Sequence, residues 1–211
     1  MALQPPASVD LLLVDVCFVV ACKPPGLLAV PGRGADKADC LSARVQSLFD
    51  DALVVHRLDM ATSGLMLFAR GPAVQRMLSA AFETRQVRKR YVAIVSGWVE
   101  HDTFTIALPL AADWPQRPRQ RVDVETGKPA TTHVRVLHRD AGASRCTVEL
   151  VPVTGRTHQL RVHLAAQGHP IVGDALYGGP GHERMLLHAA ELAFTHPATG
   201  EACRFVSEPG F

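Results

Sequence analysis

At 211 residues the chain has the length of one domain, or of one large domain with an insertion, and its 47% hydrophobic residues suffice for a packed core. A net charge of +2 is too small to indicate by itself that the protein binds nucleic acid. No apolar run reaches the roughly 18 residues of a transmembrane helix, and no basic segment precedes the apolar residues 9–21, so we expect neither a membrane span nor a signal peptide, and predict a cytosolic protein. The five cysteines are scattered without a C-x-x-C pair, which argues against a zinc ribbon or a disulfide framework.

The first half of the chain is predicted to begin with a loose arm at residues 1–10, because Pro5 and Pro6 lie there. A strand at 11–21 with a bend at Asp15 follows, and then a loop rich in Gly and Pro. Apolar residues at helical spacing predict helices at 41–49 and at 72–84, the second of which begins at Pro72. The apolar runs on either side of residues 56–64 predict two strands.

The second half of the chain is predicted to consist mainly of strands. They are placed at 91–95, 104–108, 131–137, 146–151 and, as the last strand, 186–194. A helix is predicted at 157–167, ended by Gly168. Strands dominate and helices are few, so the predicted class is α+β with a largely antiparallel or mixed sheet.

The polar segment between the two strands of the first half carries the strongest functional signal. It reads HRLDMATSGL, from His56 to Leu65. A carboxylate beside a fixed guanidinium at the end of a strand stays ionised at neutral pH, as a nucleophilic or proton-abstracting Asp59 requires. Taken alone, Asp59 is more often a turn residue whose carboxylate accepts a hydrogen bond from the backbone of Thr62 or Ser63.

This segment resembles the active-site motif of the RluA family of RNA pseudouridine synthases, in which the aspartate is catalytic. Further stretches resemble the family in the expected order over roughly residues 11 to 200. They are KPPGL at 23–27, KRYVA at 89–93, GKPATT at 127–132, TGRTHQLRVHL at 154–164, GHPIVGD at 168–174, LHA at 187–189 and FTHP at 194–197.

The resemblance implies a pseudouridine synthase fold, with a long twisted mixed or antiparallel sheet, flanking helices and a central active-site cleft. It implies one catalytic domain at 11–211 and leaves no room for the N-terminal S4 domain of many relatives. The segment from Asp113 to Lys128 resembles the dual-specificity subtype, which acts on large-subunit ribosomal RNA and on transfer RNA. The implied partner is a stem-loop of one or both RNAs, with no membrane, and we expect a monomer.

The resemblance also implies the catalytic residues. Asp59 acts at the ribose, by attack on C1′ or by removal of the 2′ proton, and Arg156 matches the arginine that ion-pairs with the catalytic aspartate. Tyr91, otherwise a plausible core tyrosine, becomes the leading candidate for the base that removes the C5 proton. The reaction moves one bond within uridine and neither gains nor loses atoms, so we expect no cofactor and no metal.

Residues that contact RNA are expected in two basic groups and beside the catalytic motif. Arg57 matches a residue that fills the space left by the target base. Arg117, Arg119 and Arg121 alternate, which would place three guanidinium groups on one face of a strand, suited to phosphates; a merely solvated surface is equally consistent with the charges. The full predicted set is His56, Arg57, Arg88, Lys89, Arg90, Arg117, Arg119 and Arg121. His56, His158 and His169 are also expected as hydrogen-bonding scaffold of the cleft.

Three alternatives remain open from the sequence. The chain could be an inactive RNA-binding factor on the same fold, although Asp59, Tyr91 and Arg156 are all present. It could be a synthase with a different, single RNA target. It could also hydrolyse a glycosidic bond, which normally requires a second carboxylate, such as Asp123 or Asp174.

Overall fold

The computed structural model describes residues 8–32, 34 and 37–211. The strands in these residues are β1 (Asp10–Val14), β2 (Phe18–Lys23), β3 (Ala52–Val54), β4 (Ser63–Arg70), β5 (Arg88–Ser96), β6 (Thr103–Ala107), β7 (Leu110–Ala112), β8 (Gln120–Val122), β9 (Thr131–Asp140), β10 (Arg145–Pro152), β11 (Leu187–Thr195) and β12 (Ala202–Val206). The α-helices are α1 (Leu41–Gln46), α2 (Pro72–Glu83) and α3 (Gln159–Ala166), and a short 3-10 helix covers Trp114–Gln116. The predicted α+β class is confirmed, because strands dominate and helices are few.

The chain divides into two compact units. The first comprises the described residues up to Val87 together with Leu192–Ser207, and the second comprises Arg88–Glu191 with Glu208–Phe211. Strand β11 contributes to both, because it passes from the second unit into the first after Glu191. The expectation of a single catalytic domain at 11–211 stays a prediction.

The first unit is built on antiparallel strands. β2 pairs with β1 and with β4, and β3 adds to β4. β4 is buried along nearly its whole length, which is why its sequence is apolar on both faces. Phe18 packs edge-on against Phe194, with ring centroids 5.2 Å apart, and the apolar face of α2 lies on the same core through Leu78. The register of β2 on β4 pairs Lys23 with Gly64, which brings Lys23 to the end of the polar segment.

The second unit contains the antiparallel order β5-β10-β9-β6. A separate two-stranded hairpin, β7 and β8, follows β6 in the chain. α3 begins after His158, whose backbone is left-handed (φ 53°). Gly173 (φ 81°) lies in the loop that follows α3, at a point where a Cβ would overlap the carbonyl oxygen of Arg184, so this position requires glycine.

Most predicted elements are confirmed with shifted ends, and three predictions need correction. The single strand predicted at 11–21 is two antiparallel strands, β1 and β2, because the chain turns at Asp15, whose carboxylate accepts a hydrogen bond from the Cys17 N–H (2.7 Å). α1 ends at Gln46 rather than at Phe49, because the chain turns there. β11 is not the last strand: β12 follows it and pairs with it, burying one side of Phe205 against the core of the first unit. The short strands β7 and β8 were not predicted.

The predicted N-terminal arm lies mostly outside the described residues, since residues 1–7 are not among them, and Asp10 already belongs to β1. All five cysteines are free thiols in the structure, and Cys17, Cys40 and Cys146 are buried. Within the described part of the chain, no helix is long and apolar enough to cross a bilayer.

Candidate active site

Asp59 lies in the connection between β3 and β4, so the two strands predicted around it are confirmed. It is half buried, and its backbone oxygen accepts a hydrogen bond from the Thr62 N–H (3.1 Å). The next carbonyl, that of Met60, accepts from the Gly26 N–H (2.9 Å). These bonds fix the backbone on which the Asp59 carboxylate is mounted.

Lys23 is the buried cation of this segment. Its side chain is fully buried, and Nζ donates to the carbonyl oxygens of Pro24 (2.8 Å), Leu27 (2.8 Å) and Met60 (2.9 Å). Burial lowers the pKa of Lys23 to about 8, and the nearby negative charge of Asp59 opposes that shift. Lys23 therefore fastens the residue after Asp59 to the loop after β2. Sequence analysis placed it in a motif but assigned it no role.

His56 and Arg57 precede Asp59 on the same connection. His56 Nε2 accepts a hydrogen bond from the Leu67 N–H (2.9 Å), and its ring stacks on Phe82 with centroids 4.5 Å apart. This geometry agrees with the predicted scaffold role of His56, and its contact with RNA stays a prediction. Arg57 is exposed.

Tyr91 lies in the second unit, half buried on β5 opposite Leu150 of β10. Because neighbouring strand residues point to opposite faces, Lys89 shares the face of Tyr91, whereas Arg88 and Arg90 face the other way. Lys89 Nζ approaches the turn that carries Arg156, where a Cβ on Gly155 would lie 3.7 Å from it.

The basic residues on the other face of β5 differ in their surroundings. Arg90 Nε lies 3.3 Å from Glu191 Oε2, and its Nη1 lies 3.8 Å from Glu149 Oε2. Glu149 also pairs with Arg135 at 3.0 Å. Arg90 thus belongs to a row of alternating charges across the strands, whereas Arg88 is exposed.

Arg156 is exposed on the turn between β10 and α3, and its Nε donates to the carbonyl oxygen of Pro129 (3.2 Å). The buried amide of Gln159 shapes this turn. Its Oε1 accepts from the Arg156 N–H (3.0 Å) and from Thr154 Oγ1 (2.7 Å), and its Nε2 donates to Thr131 O and Thr132 Oγ1 (both 3.0 Å). Sequence analysis missed this role of Gln159.

The polar chain continues from Gln159 into the interior. The Thr132 hydroxyl, which accepts from Gln159, lies 3.0 Å from His163 Nδ1, and His163 Nε2 lies 3.0 Å from the carbonyl oxygen of Leu108. Burial lowers the pKa of His163, so the ring is neutral, with Nε2–H donating and Nδ1 accepting. Both ring nitrogens are used, which gives His163 a structural role.

Three further histidines of the second unit have hydrogen-bond partners or are buried. His158 Nδ1 lies 2.7 Å from the Tyr177 hydroxyl, and His169 Nδ1 lies 3.1 Å from the Ser96 carbonyl oxygen. These contacts agree with the predicted scaffold role. His188 is buried on β11.

One group of potential metal ligands in the described residues consists of Asp15, Cys17 and His196, whose ligand atoms lie within 4.8 Å of one another. His196 Nδ1 accepts from the N–H groups of Ala198 (3.1 Å) and Thr199 (3.2 Å). The proton of the neutral ring is then on Nε2, which lies 3.3 Å from Asp15 Oδ1. With both ring nitrogens engaged, the group stabilises a turn.

Arg117, Arg119 and Arg121 do not share one face of a strand, and that prediction was wrong. β8 contains Arg121 but begins after Pro118, which has no N–H to donate to a strand ladder. Arg117 stacks on Trp114, Arg119 donates to Gln116 Oε1 (2.9 Å), and Arg121 pairs with Asp123 (2.8 Å). Each guanidinium therefore has its own environment.

Comparison with known proteins identifies the group to which these residues belong. Residues 17–166 match the family described as RNA pseudouridylate synthase. The dual-specificity RNA pseudouridine synthase RluA of Yersinia pestis is 46% identical over 204 residues, which covers 95% of this chain and 98% of that protein. The protein of the same name from Escherichia coli (strain K12) is 44% identical over 205 residues, covering 95% and 93%.

Two solved structures have the same fold. Human RNA pseudouridylate synthase domain containing 1 superposes with a TM-score of 0.80 at 28% identity, covering 99% of this chain and 86% of that one. Human RNA pseudouridylate synthase domain containing 4 gives a TM-score of 0.75 at 26% identity, with 94% and 88% covered. The predicted fold and enzyme class are therefore confirmed, and the chain belongs to the RNA pseudouridylate synthase family.

Proposed function

We propose that this enzyme converts specific uridines to pseudouridine in ribosomal RNA, in transfer RNA, or in both, with Asp59 as its catalytic residue. The observation that carries the proposal is the fixed mount of Asp59, held between two strands and fastened by buried Lys23, in a chain that belongs to this family. The names of the relatives support the RNA substrate, since they are dual-specificity enzymes.

The reaction breaks the bond from ribose C1′ to uracil N1, joins C1′ to C5 of the same base, and transfers the C5 proton to N1 or to solvent. Asp59 supplies the anion at the sugar, by attack on C1′ or by removal of the 2′ proton. Arg156, on its fixed turn, provides positive charge for the carboxylate or the freed uracil. Tyr91 offers a ring to stack on the base and a hydroxyl for the C5 proton.

We further propose that the enzyme works as a monomer in the cytoplasm, where such RNAs are modified, without a metal or a cofactor. The atom balance of the reaction supports the last point, since nothing is oxidised, reduced or added. Arg57, Arg88 and Lys89 are proposed to contact RNA, with Arg57 filling the space of the extruded base.

The competing enzyme class, a hydrolase of glycosidic bonds, would need a second carboxylate beside Asp59, and neither candidate for it has suitable surroundings. Asp174 is fully engaged in a buried pair with Arg161, at 2.7 and 2.8 Å. Hydrogen bonds from the backbone of Thr126 and from Arg121 lower the pKa of Asp123 to about 2, so it cannot hold a proton at neutral pH as a general acid must.

The experiment that tests the proposal is tritium release from RNA whose uridines are labelled at C5. Wild-type protein is expected to release label and to leave the RNA chain intact. Asp59→Asn, which keeps the shape but removes the anion, should release none while its RNA affinity stays within a few-fold. Asp50→Asn, an exposed carboxylate in the same unit, is the matched control. Full activity in Asp59→Asn, checked for deamidation, would contradict the role of Asp59.

A further inference from the structure

The hairpin of β7 and β8 presents an aromatic side chain that the proposed chemistry does not use. Trp114 begins the short 3-10 helix between the two strands and is 68% exposed. The guanidinium carbon of Arg117 lies 3.2 Å from the centre of the indole ring, so Arg117 covers one face of it. At that exposure, the opposite face is open to solvent.

The segment that carries Trp114 is held by its own hydrogen bonds. The Asp113 N–H donates to the Arg119 carbonyl oxygen (3.0 Å), the Gln116 N–H donates to that of Asp113 (3.1 Å), and the Arg119 N–H donates to that of Gln116 (2.9 Å). This closed set of bonds fixes the backbone on both sides of the indole. Trp114 is thus presented on an ordered support.

Tyr177 anchors the hairpin to the rest of the second unit. Its hydroxyl oxygen accepts from the Gln120 N–H (2.8 Å) and lies 2.7 Å from His158 Nδ1. Two guanidinium groups lie near its ring, that of Arg119 at 5.5 Å and that of buried Arg161 at 5.1 Å from the ring centre. Because His158 directly follows the Arg156 turn, this hydroxyl joins the hairpin to the turn with a proposed catalytic role.

The chemistry of the exposed surface favours a nucleobase. An indole with a cation on one face and solvent on the other can stack any base, because every base has a flat π face. A guanidinium stacked on a ring still directs its N–H groups sideways, where a phosphate can accept them. Arg117 can therefore bind backbone charge while Trp114 binds the adjacent base.

We propose that Trp114 and Arg117 form a stacking platform for one unpaired base of the RNA stem-loop. This proposal rests on the proposed function, and it adds a residue that determines which RNAs bind. It assigns Trp114 to single-stranded loop nucleotides and not to the paired stem, because a stacked base in a duplex has no free face.

The first experiment measures affinity for two RNAs, a transfer RNA anticodon stem-loop and a fully paired duplex of the same stem. Trp114→Ala should weaken stem-loop binding about 5- to 150-fold, as loss of one base–aromatic stack does. Trp114→Phe should retain most of the affinity, and duplex binding should not change. Trp98→Ala is the matched control, since Trp98 is 50% exposed with the Arg139 guanidinium 5.8 Å from its ring; it should stay within about twofold.

The second experiment uses the indole itself as the probe and needs no truncation at the site. The chain has two tryptophans, so Trp98→Phe leaves Trp114 as the sole indole. Its emission should be quenched when stem-loop RNA saturates the protein, and that of Trp114→Phe, which reports Trp98, should not. Unchanged emission of Trp114, or wild-type affinity in Trp114→Ala, would overturn the platform.

Failure of the platform and failure of the proposed function can be told apart. If the wild type releases tritium but Trp114→Ala binds the stem-loop normally, the platform is rejected and the function stands. If Trp114 is quenched by the stem-loop but no tritium is released, the platform is supported as an RNA contact and the function is rejected. If Trp114→Ala does not fold, the fluorescence of Trp114 in Trp98→Phe decides whether the platform is supported (quenching by the stem-loop) or rejected (no quenching).

Discussion

At the scale of single residues, two buried polar side chains hold the candidate catalytic groups. Burial of an ammonium group is costly unless its hydrogen bonds are satisfied, and Lys23 satisfies them with three carbonyl oxygens. Gln159 uses both ends of its amide on the Arg156 turn and on β9. Each side chain fixes the backbone beside a candidate catalytic residue, so we expect it to affect the reaction through that neighbour.

Replacing Lys23 with Met should therefore damage the mount of Asp59. The variant keeps an unbranched side chain, one atom shorter, but leaves three carbonyl oxygens without their donor, and a buried group that loses its partner costs about 1–3 kcal/mol. The free energy of unfolding measured in urea should fall by that order, and kcat should fall more than RNA affinity. Lys37→Met, which changes an exposed lysine of the same unit, is the control. Equal stability of Lys23→Met and Lys37→Met would contradict the role of Lys23.

Tyr91→Phe tests the proposed role of Tyr91 separately from that of Asp59. The variant keeps the ring but loses the hydroxyl, so the glycosidic bond should still break while removal of the C5 proton stalls. It should bind RNA nearly normally and make no pseudouridine, measured by tritium release. On 5-fluorouridine RNA, which carries no C5 proton, it should form the same rearranged product as the wild type, whereas Asp59→Asn should leave that RNA unchanged. Ordinary pseudouridine formation by Tyr91→Phe would reduce Tyr91 to a stacking surface.

At the scale of elements, the sequence predicted those strands and helices whose apolar residues recur with a regular spacing. Long buried strands such as β4, and α2 with Pro72 at its first turn, were located because their patterns extend over many residues. β12 was not predicted, because just two residues of this five-residue strand, Cys203 and Phe205, pack against the core. The hairpin strands β7 and β8 are three residues long and carry no periodic signal.

The residues of the candidate site were likewise predicted where the signal is local in the sequence and missed where it is not. Asp59, Tyr91 and Arg156 were located because each lies in a contiguous motif, which is a local property of the sequence. The roles of Lys23 and Gln159 depend on partners far along the chain: Lys23 bonds to Met60, and Gln159 to Thr131. Such pairings come from strand register and chain crossing, which a local pattern does not contain.

The packing of α3 can be tested through the pH dependence of stability, because buried His163 lies on this helix. Burial lowers the pKa of His163 in the folded protein below its ordinary 6.5, so as pH falls below 6.5 the unfolded chain takes up a proton that the folded protein refuses. Stability is therefore complete above this pH and is lost below it, by up to about 1.4 kcal/mol per pH unit.

His163→Gln removes the titration and can keep both hydrogen bonds, to Thr132 and to Leu108. Its free energy of unfolding should vary less with pH between 6.5 and 5 than that of the wild type, measured by urea unfolding across that range. Exposed His101→Gln is the control and should follow the wild type. Parallel curves for His163→Gln and the wild type would show that another group governs the acid response.

At the scale of the whole molecule, the distribution of charge matters more than the net charge of +2. Several arginines form ion pairs with carboxylates: Arg90 with Glu149 and Glu191, Arg121 with Asp123, and Arg135 with Glu149. A guanidinium held by carboxylates has less to offer a phosphate, since binding RNA would require it to break or share those contacts. The position of an arginine in the sequence therefore does not by itself predict whether its guanidinium is available to bind a phosphate.

Arg88 and Arg90 test this point, because they are two residues apart on the same face of β5 but differ in their partners. If exposed Arg88 neutralises one phosphate, Arg88→Gln should reduce the slope of log K against log salt for the stem-loop by about 0.7. The loss should be similar for RNAs of different sequence. Arg90→Gln should change that slope little and should lower the free energy of unfolding instead, because it removes the cation that Glu149 and Glu191 share, although Glu149 keeps its pair with Arg135. Arg76→Gln, which changes an exposed arginine on α2, controls for nonspecific charge.

Two outcomes would contradict these expectations. Equal slopes for wild type and Arg88→Gln would make Arg88 a solvated surface residue. A slope change in Arg90→Gln equal to that of Arg88→Gln would show that an arginine in an ion pair is still available to bind RNA.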